Sequence, residues 1–368
     1  MYLKNLALVH FKNYEQAELE FSPRINCFVG DNGVGKTNLL DAIHYLSLTK
    51  SFFNPIDSQN IRHGEEFFVI QGDVEKDGET ENLYCACRKG RKKQFKKNRK
   101  EYERLADHIG YMPVVMISPA DSALITEGSD QRRKFMDSVI SQYDRVYLDN
   151  LMRYNRALTQ RNILLKQMSV QRQTDHAAID LWDKQMIPLA AFIYQTRVKF
   201  IRDLMPLFRE YYAMISGNEE EVELRYESQL HEEGMDELLR ERREKDLAVQ
   251  YTTGGVHKDD LWLGLGEHPM KRTGSQGQQK TFLVALKLAK FGFIYQVSGN
   301  LPILLLDDIF DKFDKNRVKQ IIRLVSEKEF GQIFITDTNL EHLEGILKEI
   351  PADYRIFTIN DTIRLISQ

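Results

Sequence analysis

The chain has 368 residues, of which 42% are hydrophobic and 29% charged, and its formal net charge is −3 at pH 7. This composition is that of an ordinary globular protein, and the length allows two or three domains, or one large lobe with an insertion. Because the overall charge is close to neutral, it predicts no nucleic-acid binding, and any such prediction must rest on a local patch.

The cysteines and the N-terminus both bear on the cellular compartment. Cys27, Cys85 and Cys87 form no C-x-x-C pair, so we expect buried, reduced thiols rather than a metal site or a disulfide. The first residues lack the apolar core of a signal peptide, and no apolar run approaches the length of a membrane span. We therefore expect a soluble, cytoplasmic protein.

The first part of the chain alternates apolar and polar residues in short runs, which predicts strands. Asp77-Gly78 is a good hairpin turn between the fourth and fifth of these runs. The predicted strands are residues 6–11, 17–21, 25–29, 67–74, 82–87 and 113–119.

The most specific motif lies between the strand at 25–29 and an apolar segment of helical spacing at 38–46. It has the pattern G-x-x-x-x-G-K-[ST] and consists of Gly30, Asp31, Asn32, Gly33, Val34, Gly35, Lys36 and Thr37. Glycines let the backbone curl so that its N–H groups point at phosphate oxygens, and the helix N-terminus adds further donors. Lys36 supplies a charge for the β- and γ-phosphates, and the Thr37 hydroxyl is a ligand for Mg²⁺. The sequence therefore predicts a nucleotide site.

The segment from Arg88 to Lys100 is the most basic part of the chain and contains no acidic residue. One interpretation is an exposed hairpin that contacts DNA phosphates. The other is a solvated edge strand that lysines keep soluble. The sequence leaves both open, and the candidate DNA contacts are Arg91, Lys92, Lys93, Lys96 and Lys97.

From Asp121 to about Lys245 the spacing of apolar residues predicts helices, with a loop or helical-hairpin tip at 166–176. We expect the glutamates at 219–221 and 232–233 to be solvated helix faces. From about Val249 onward the sequence again predicts alternating strands and helices, with a strand at 332–337 and a final hairpin at 354–366. We therefore predict an α/β fold in which residues 1–117 and 248–368 form an ATPase lobe and residues 118–247 form a mostly helical inserted lobe.

Two further motifs complete the predicted site. The apolar run 301–306 ends in Asp307 and Asp308, where a strand places a carboxylate beside the phosphate loop. We assign Asp307 to the metal and Asp308 to the attacking water. Upstream, Ser275 is expected to cap a long helix, as the first residue of an S-x-G-Q stretch. This stretch resembles the signature of ABC-type ATPases, which in that class closes on the γ-phosphate held by a second subunit. The resemblance implies this role for Ser275, Gly277 and Gln278.

The order of the motifs resembles the RecF family, whose members are bacterial ATPases related to the heads of structural-maintenance-of-chromosomes (SMC) proteins. The resemblance covers essentially the whole chain. It rests on residues 3–14, 30–38, 49–52, 61–64, 118–137, 255–261 and 275–280. It implies an antiparallel N-terminal sheet, ATP and Mg²⁺ as cofactors, weak DNA-stimulated ATP hydrolysis and an ATP-dependent homodimer. It also implies action at single-strand/double-strand DNA junctions of gapped DNA in repair and the SOS response, RecO and RecR as partners in RecA loading, and a location at the nucleoid.

The chain departs from this family in a few places. Val256 and Lys258 replace the usual proline and arginine, and Asp311-Lys312-Phe313-Asp314 stands where the family usually has S-E-L-D. Because that element normally lies across the dimer interface, the hydrolysis rate does not follow from the resemblance.

Other classes of protein share some of these motifs. A transporter nucleotide-binding subunit would have the phosphate loop, the signature and Asp307, but Asp308 and the long helical insertion are atypical of it. A chromosome-organising protein would need a far longer heptad insert. A small-molecule kinase would not need the Ser275 signature, and an ATP-gated scaffold would differ only in whether Asp308 supports hydrolysis.

Overall fold

The structure, a computed structural model, describes residues 1–171, 175–217, 220–309, 320–321, 324, 330–347, 353–360 and 362–367. The described strands are β1 Tyr2–Leu3, β2 Asn5–Phe11, β3 Tyr14–Glu20, β4 Ile25–Val29, β5 Phe67–Lys76, β6 Glu79–Arg88, β7 Gln94–Lys97, β8 Lys100–Glu101, β9 Val114–Ile117, β10 Val222–Glu227, β11 Asp260–Leu265, β12 His268–Pro269, β13 Ile303–Leu306, β14 Ile333–Asp337, β15 Tyr354–Ile359 and β16 Ile363–Ser367. The described α-helices are α1 Lys36–Leu48, α2 Ala123–Thr126, α3 Ser129–Ile140, α4 Arg145–Gln171, α5 His176–Ser216, α6 Met235–Val249, α7 Met270–Thr273, α8 Gln276–Ser298 and α9 Leu340–Leu347.

The chain divides into two compact units. The first comprises Met1–Asp121, Tyr211–Gly217 and Leu283–Gln368, and the second comprises Ser122–Glu210 and Asn218–Phe282. Compared with the predicted lobes, residues 118–121 and 211–217 fall in the first unit, and residues 248–282 fall in the second. For residues 248–282 the reason is strand pairing, because β11 pairs with β10 along its whole length.

The first unit contains two sheets and a helix packed on both. The seven-stranded sheet has the order β3-β2-β5-β6-β7-β8, with β1 paired to β5, and the six-stranded sheet has the order β16-β15-β4-β14-β13-β9. Helix α1 contacts β5 and β6 of the first sheet and β9 and β14 of the second. Nearly every residue of α1 is buried, including the polar side chains of Asp41, His44 and Ser47. The predicted α/β architecture with antiparallel N-terminal strands is confirmed.

The second sheet positions the predicted site. Its strands β4, β9, β13 and β14 are buried at every residue and consist mostly of apolar residues, which is typical of parallel strands. β14 pairs in parallel with both β4 and β13, and β13 pairs in parallel with β9. Their carboxyl ends therefore meet at one edge of the sheet.

The second unit is mostly helical but contains a three-stranded sheet of order β10-β11-β12. The predicted helical pattern from Asp121 to about Lys245 is therefore wrong at β10. In that strand Val222, Leu224 and Tyr226 are buried and alternate with more exposed residues, a period of two that belongs to a strand. The predicted hairpin tip is narrower than 166–176, since α4 continues to Gln171 and α5 begins at His176.

Helix α8 is long and apolar enough to cross a membrane, but most of it is buried inside the protein. That degree of burial is the behaviour of a core helix. All three cysteines are free and buried, as predicted.

Candidate nucleotide-binding site

The loop between β4 and α1 has the geometry of a phosphate cradle. Gly33 and Gly35 have φ angles of 86° and 112°, which only glycine adopts readily. At Gly35 a Cβ atom would collide with the Asn13 side-chain amide and lie 2.9 Å from the Tyr14 hydroxyl oxygen. Gly35 caps α1 without a side-chain hydrogen bond, so the first-turn N–H groups of α1 are left to an anion.

Two residues of the β2–β3 hairpin hold this loop, and the sequence motif does not include them. Asn13 Nδ2 donates to the Val34 carbonyl at 2.9 Å, and the Tyr14 hydroxyl donates to the Gly35 carbonyl at 3.1 Å. The loop is thereby fixed from outside before any nucleotide binds.

Lys36 lies across the loop rather than in solvent. Its Nζ donates to the carbonyl oxygens of Gly30 at 2.6 Å and Asp31 at 2.9 Å, and the residue is buried. An ammonium group held at this position faces the phosphates that the loop amides would bind.

Asp307 follows β13 and meets the phosphate loop directly. Thr37 Oγ1 donates to Asp307 Oδ1 at 2.8 Å, and Thr336 Oγ1 donates to the same oxygen at 3.0 Å. Ser118 Oγ donates to Asp307 Oδ2 at 3.4 Å. Burial raises the pKa of the Asp307 carboxyl above its usual value, while these hydrogen bonds and the charge of Lys36 oppose the shift.

Asp308 follows in a left-handed conformation, with φ 50°. Its N–H donates to Thr336 Oγ1 at 2.8 Å, so Thr336 contacts both aspartates. Asp308 lines a cavity of about 190 Å³ together with Asn32, Gly33, Gly35, Lys36, Thr37 and Asn38. A hydroxyl directly after the apolar residues 333–335 is the signal by which Thr336 could have been found.

The donor set at this edge fits Mg²⁺. The described residues contain no group of three or more histidine, cysteine or acidic side chains that could hold a metal. Mg²⁺ requires no such cage, since it is commonly bound by one or two protein oxygens together with phosphate and water. The hydroxyl of Thr37 and the carboxylate of Asp307 supply such a pair.

A second cavity of about 680 Å³ adjoins the phosphate loop and shares Gly33 with the first. Its wall includes Asn13, Tyr14, Arg62 and Asn360. The volume and the polar lining are suitable for the sugar and base of a nucleotide.

The predicted signature lies in the second unit and forms a capping box. Ser275 Oγ accepts from the N–H of Gln278 at 3.2 Å, and Gln278 Oε1 accepts from the N–H of Ser275 at 2.8 Å. The predicted cap is therefore confirmed. Gly277 lies in the first turn of α8, and Ser275 is exposed. A link between these residues and phosphate remains a prediction.

The basic segment forms the end of β6, the strands β7 and β8 and the turns between them, and its cations differ in their surroundings. Arg91 and Lys92 are exposed. Lys93 is instead held inside, with its side chain 10% exposed and its Nζ 2.8 Å from Asp57. Lys97 pairs with Glu81 at 2.8 Å, and Lys96 lies over the Tyr84 ring. The segment Asp311-Lys312-Phe313-Asp314 lies outside the described residues.

Comparison with known proteins identifies relatives over nearly the whole chain. A family model described as the RecF/RecN/SMC N terminal domain matches residues 2–358. The DNA replication and repair protein RecF of Phocaeicola vulgatus is 54% identical over 363 residues, covering 98% of this chain and 97% of the relative. The protein of the same name from Bacteroides fragilis is 52% identical, covering 98% of this chain and 96% of the relative.

The solved structures give the same picture. The structure of the recombination mediator protein RecF with ATP in the RecFOR pathway has a TM-score of 0.90 at 28% identity, covering 100% of this chain and 98% of the other. An SMC head bound to the C-terminal winged-helix domain of ScpA has a TM-score of 0.60 at 16% identity, which shows a shared fold alone.

Proposed function

The chain belongs to the RecF family, and we propose on this premise that it is an ATP-dependent DNA-binding clamp for recombinational repair of gapped DNA and the SOS response. ATP with Mg²⁺ is its nucleotide, and hydrolysis to ADP and phosphate is its reaction. The observation that carries the proposal is the hydrogen bond between Thr37 and Asp307. It joins the phosphate loop and the strand-end carboxylate, the two halves of a P-loop ATPase site.

The site residues take distinct roles in this proposal. The amides of Gly33 to Lys36 and the Lys36 ammonium bind the β- and γ-phosphates. Thr37 and Asp307 hold Mg²⁺, which neutralises charge on the phosphates. Asp308, whose backbone N–H is fixed by Thr336, orients the attacking water and accepts its proton.

We propose an ATP-dependent homodimer in which Ser275, Gly277 and Gln278 of one copy bind the γ-phosphate held by the other. The support is that Ser275 and Gln276 are exposed at the start of α8, where helix N–H groups favour an anion. The solved relative is described as acting in the RecFOR pathway, which supports RecO and RecR as partners. Their joint role in RecA loading is proposed from the family resemblance. A cytoplasmic, nucleoid-associated location follows from that role.

For DNA contact we retain three of the five basic candidates. Arg91 and Lys92 are exposed, and Lys96 is half-buried without an ion pair among the described residues, whereas Lys93 and Lys97 each pair with a carboxylate. Reversing the charge of Arg91 and Lys92 together should weaken duplex binding and lower the slope of affinity against salt concentration. An unchanged salt slope would exclude this segment as a DNA contact.

The experiment that tests the clamp is a light-scattering mass measurement with ATP and Mg²⁺, with and without duplex DNA. We expect a shift from monomer to dimer that DNA strengthens and that Lys36→Met abolishes. A protein that stays monomeric while it turns over ATP, without a response to DNA, would contradict the proposal and favour a different P-loop enzyme.

The scaffold alternative is tested separately with Asp308→Asn. A hydrolysing ATPase should lose turnover while it retains ATP binding and dimerisation, since Asp308 acts on water rather than on the phosphates. Unchanged hydrolysis in Asp308→Asn would support a scaffold in which this carboxylate has no catalytic role.

A further inference from the structure

A pocket of about 490 Å³ opens in the second unit between α4 and α5, and none of the residues assigned to ATP or DNA lines it. We call it the Trp182 pocket; its wall includes Arg153, Arg156, Trp182, Lys184, Pro188 and Leu189. The three cations are exposed. Within the part of the chain that the structure describes, none of the three forms an ion pair or a side-chain hydrogen bond.

Acidic residues close to the pocket in sequence are already engaged. Asp183 accepts from Arg161 at 2.6 Å and pairs with Arg243 at 2.9 Å. Asp180 pairs with the same guanidinium of Arg243. The rim cations therefore lack an internal counter-charge among the described residues, and the pocket is complementary to an anionic ligand.

The pocket also has apolar walls and apolar neighbours. Trp182 is half-buried, and Leu189 is 6% exposed. Next to the pocket residues in sequence, Met152 is 51% exposed and Leu181 is 57% exposed. Leu181 shares a helix face with Lys184, three residues on. Exposed large apolar side chains beside unpaired cations are typical of a protein-binding surface, in which one anchor fills a pocket and charges surround it.

Pro188 adds a hydrogen-bond acceptor. It lies inside α5 and has no N–H, so the Lys184 carbonyl lacks the donor that a helix normally supplies four residues later. A bound peptide brings backbone N–H groups that can donate to such a carbonyl, whereas a phosphodiester backbone brings none. Trp182 is also the sole aromatic among the described residues that line the pocket, while single-stranded nucleic acid is usually held by a series of stacking rings.

We propose that the Trp182 pocket docks an acidic segment of a partner protein. One large apolar side chain of that segment packs against Trp182 and Leu189. Its carboxylates pair with Arg153, Arg156 and Lys184, and a backbone N–H donates to the Lys184 carbonyl. This proposal goes beyond ATP and DNA binding and does not depend on them.

The chain offers a direct reporter for the test. It has two tryptophans, so Trp262→Phe leaves Trp182 as the sole tryptophan. Trp262 packs under the Arg225 guanidinium, and phenylalanine retains a ring there. The probe is a short synthetic peptide in which aspartates flank one central phenylalanine. The comparison ligands are the same peptide with asparagine in place of aspartate, and an oligo-dT of matched length.

We expect the acidic peptide to shift the Trp182 emission saturably and more tightly at low salt, and neither comparison ligand to do so. When Arg153→Glu and Arg156→Glu are added to the Trp262→Phe background, the affinity for the acidic peptide should fall by at least about tenfold. That factor corresponds to the loss of about one charge-assisted contact. Lys166→Glu is the matched control, because Lys166 is exposed on α4 but does not line the pocket.

Three outcomes would overturn the proposal. The first is that the asparagine peptide binds as tightly as the acidic peptide. The second is that oligo-dT shifts the Trp182 emission and the acidic peptide does not. The third is that Lys166→Glu lowers the affinity as much as Arg153→Glu with Arg156→Glu. The assay contains neither ATP nor duplex DNA. Failure here would therefore leave the ATPase assignment intact, and loss of ATP-driven dimerisation would leave this proposal intact.

Discussion

Thr37 Oγ1 donates a 2.8 Å hydrogen bond to Asp307 Oδ1, although the two residues are separated by 270 positions in the chain. This bond closes the candidate site. It joins the start of α1 to the carboxyl end of β13, and β14 between them contributes Thr336 to the same carboxylate. The same two oxygens are those that we assign to Mg²⁺, so the two residues that would hold the ion already lie side by side.

The first prediction concerns this pair. Thr37→Val removes the hydroxyl, and we expect Mg²⁺-dependent ATP hydrolysis to fall on the order of 100-fold, because a metal ligand is lost. Nucleotide binding without Mg²⁺ should persist through Lys36 and the loop amides. Steady-state hydrolysis over a Mg²⁺ titration measures the effect. Thr37→Ser is the control, and if it is as impaired as Thr37→Val, the hydroxyl is not the group that matters.

The second prediction concerns Gly35 and separates the effect of backbone strain from that of a steric collision with Asn13 and Tyr14. Gly35→Ala places a Cβ at φ 112° and against Asn13 and Tyr14, whereas Gly78→Ala places one at φ 84° with no atom within 4 Å. Both should lose roughly 1 kcal/mol of stability to backbone strain. In a titration with fluorescent ATP, Gly35→Ala alone should weaken binding, by about tenfold or more, because Asn13 must move off the loop. Equal affinities in the two variants would contradict the role given to Asn13.

The third prediction distinguishes a structural lysine from a surface lysine in the basic segment. Lys93 Nζ contacts Asp57 at 2.8 Å and donates to the Thr49 carbonyl at 2.5 Å, whereas Lys92 is exposed. Lys93→Met should lower the free energy of unfolding by about 1–3 kcal/mol, since the partly buried Asp57 carboxylate loses its cation and, among the described residues, keeps only the hydrogen bond from the Tyr45 hydroxyl. Lys92→Met should stay within about 0.5 kcal/mol of wild type. Urea denaturation of both variants measures the difference, and equal stabilities would refute it.

The fourth prediction concerns acid stability. Burial lowers the pKa of His44, His108 and His257 to about 4. In the unfolded chain the pKa of histidine is about 6.5, so the unfolded state binds more protons between these values, and stability falls as pH falls from 6.5 to 4. The loss of folding stability over this pH range is at most roughly 3 kcal/mol for each histidine.

A matched pair of variants tests that assignment by thermal unfolding between pH 7 and pH 4. His108 Nε2 donates to the Leu46 carbonyl at 2.6 Å, and Nδ1 of the neutral ring accepts from the Tyr102 hydroxyl at 3.2 Å. His108→Gln should flatten the fall in stability relative to wild type. His63→Gln, at an exposed position, should leave the profile unchanged. Parallel profiles for wild type and His108→Gln would show that other groups control acid unfolding.

Local motifs explain what could be predicted from the sequence. The phosphate loop, the cap at Ser275, the turn at Asp77-Gly78 and the strand that ends in Asp307 each depend on a few consecutive residues. Their backbone conformations follow from glycine, capping and periodicity. Strand β10 does not follow from the sequence in this way, because its formation depends on a distant partner strand. Its alternating pattern is local, but its stability comes from β11, which lies more than thirty residues away in the chain.

The amino-acid sequence by itself determined the ATPase chemistry, because the groups that bind phosphate must be neighbours on one loop. The tertiary structure decided which distant residues complete the site. The contacts of Thr336 and Asn13 with the site follow only from strand order and hairpin packing. It likewise assigned Lys93 to an internal ion pair and gathered the unpaired cations around Trp182. Composition counts charges, but only packing decides which of them have partners and which face a ligand.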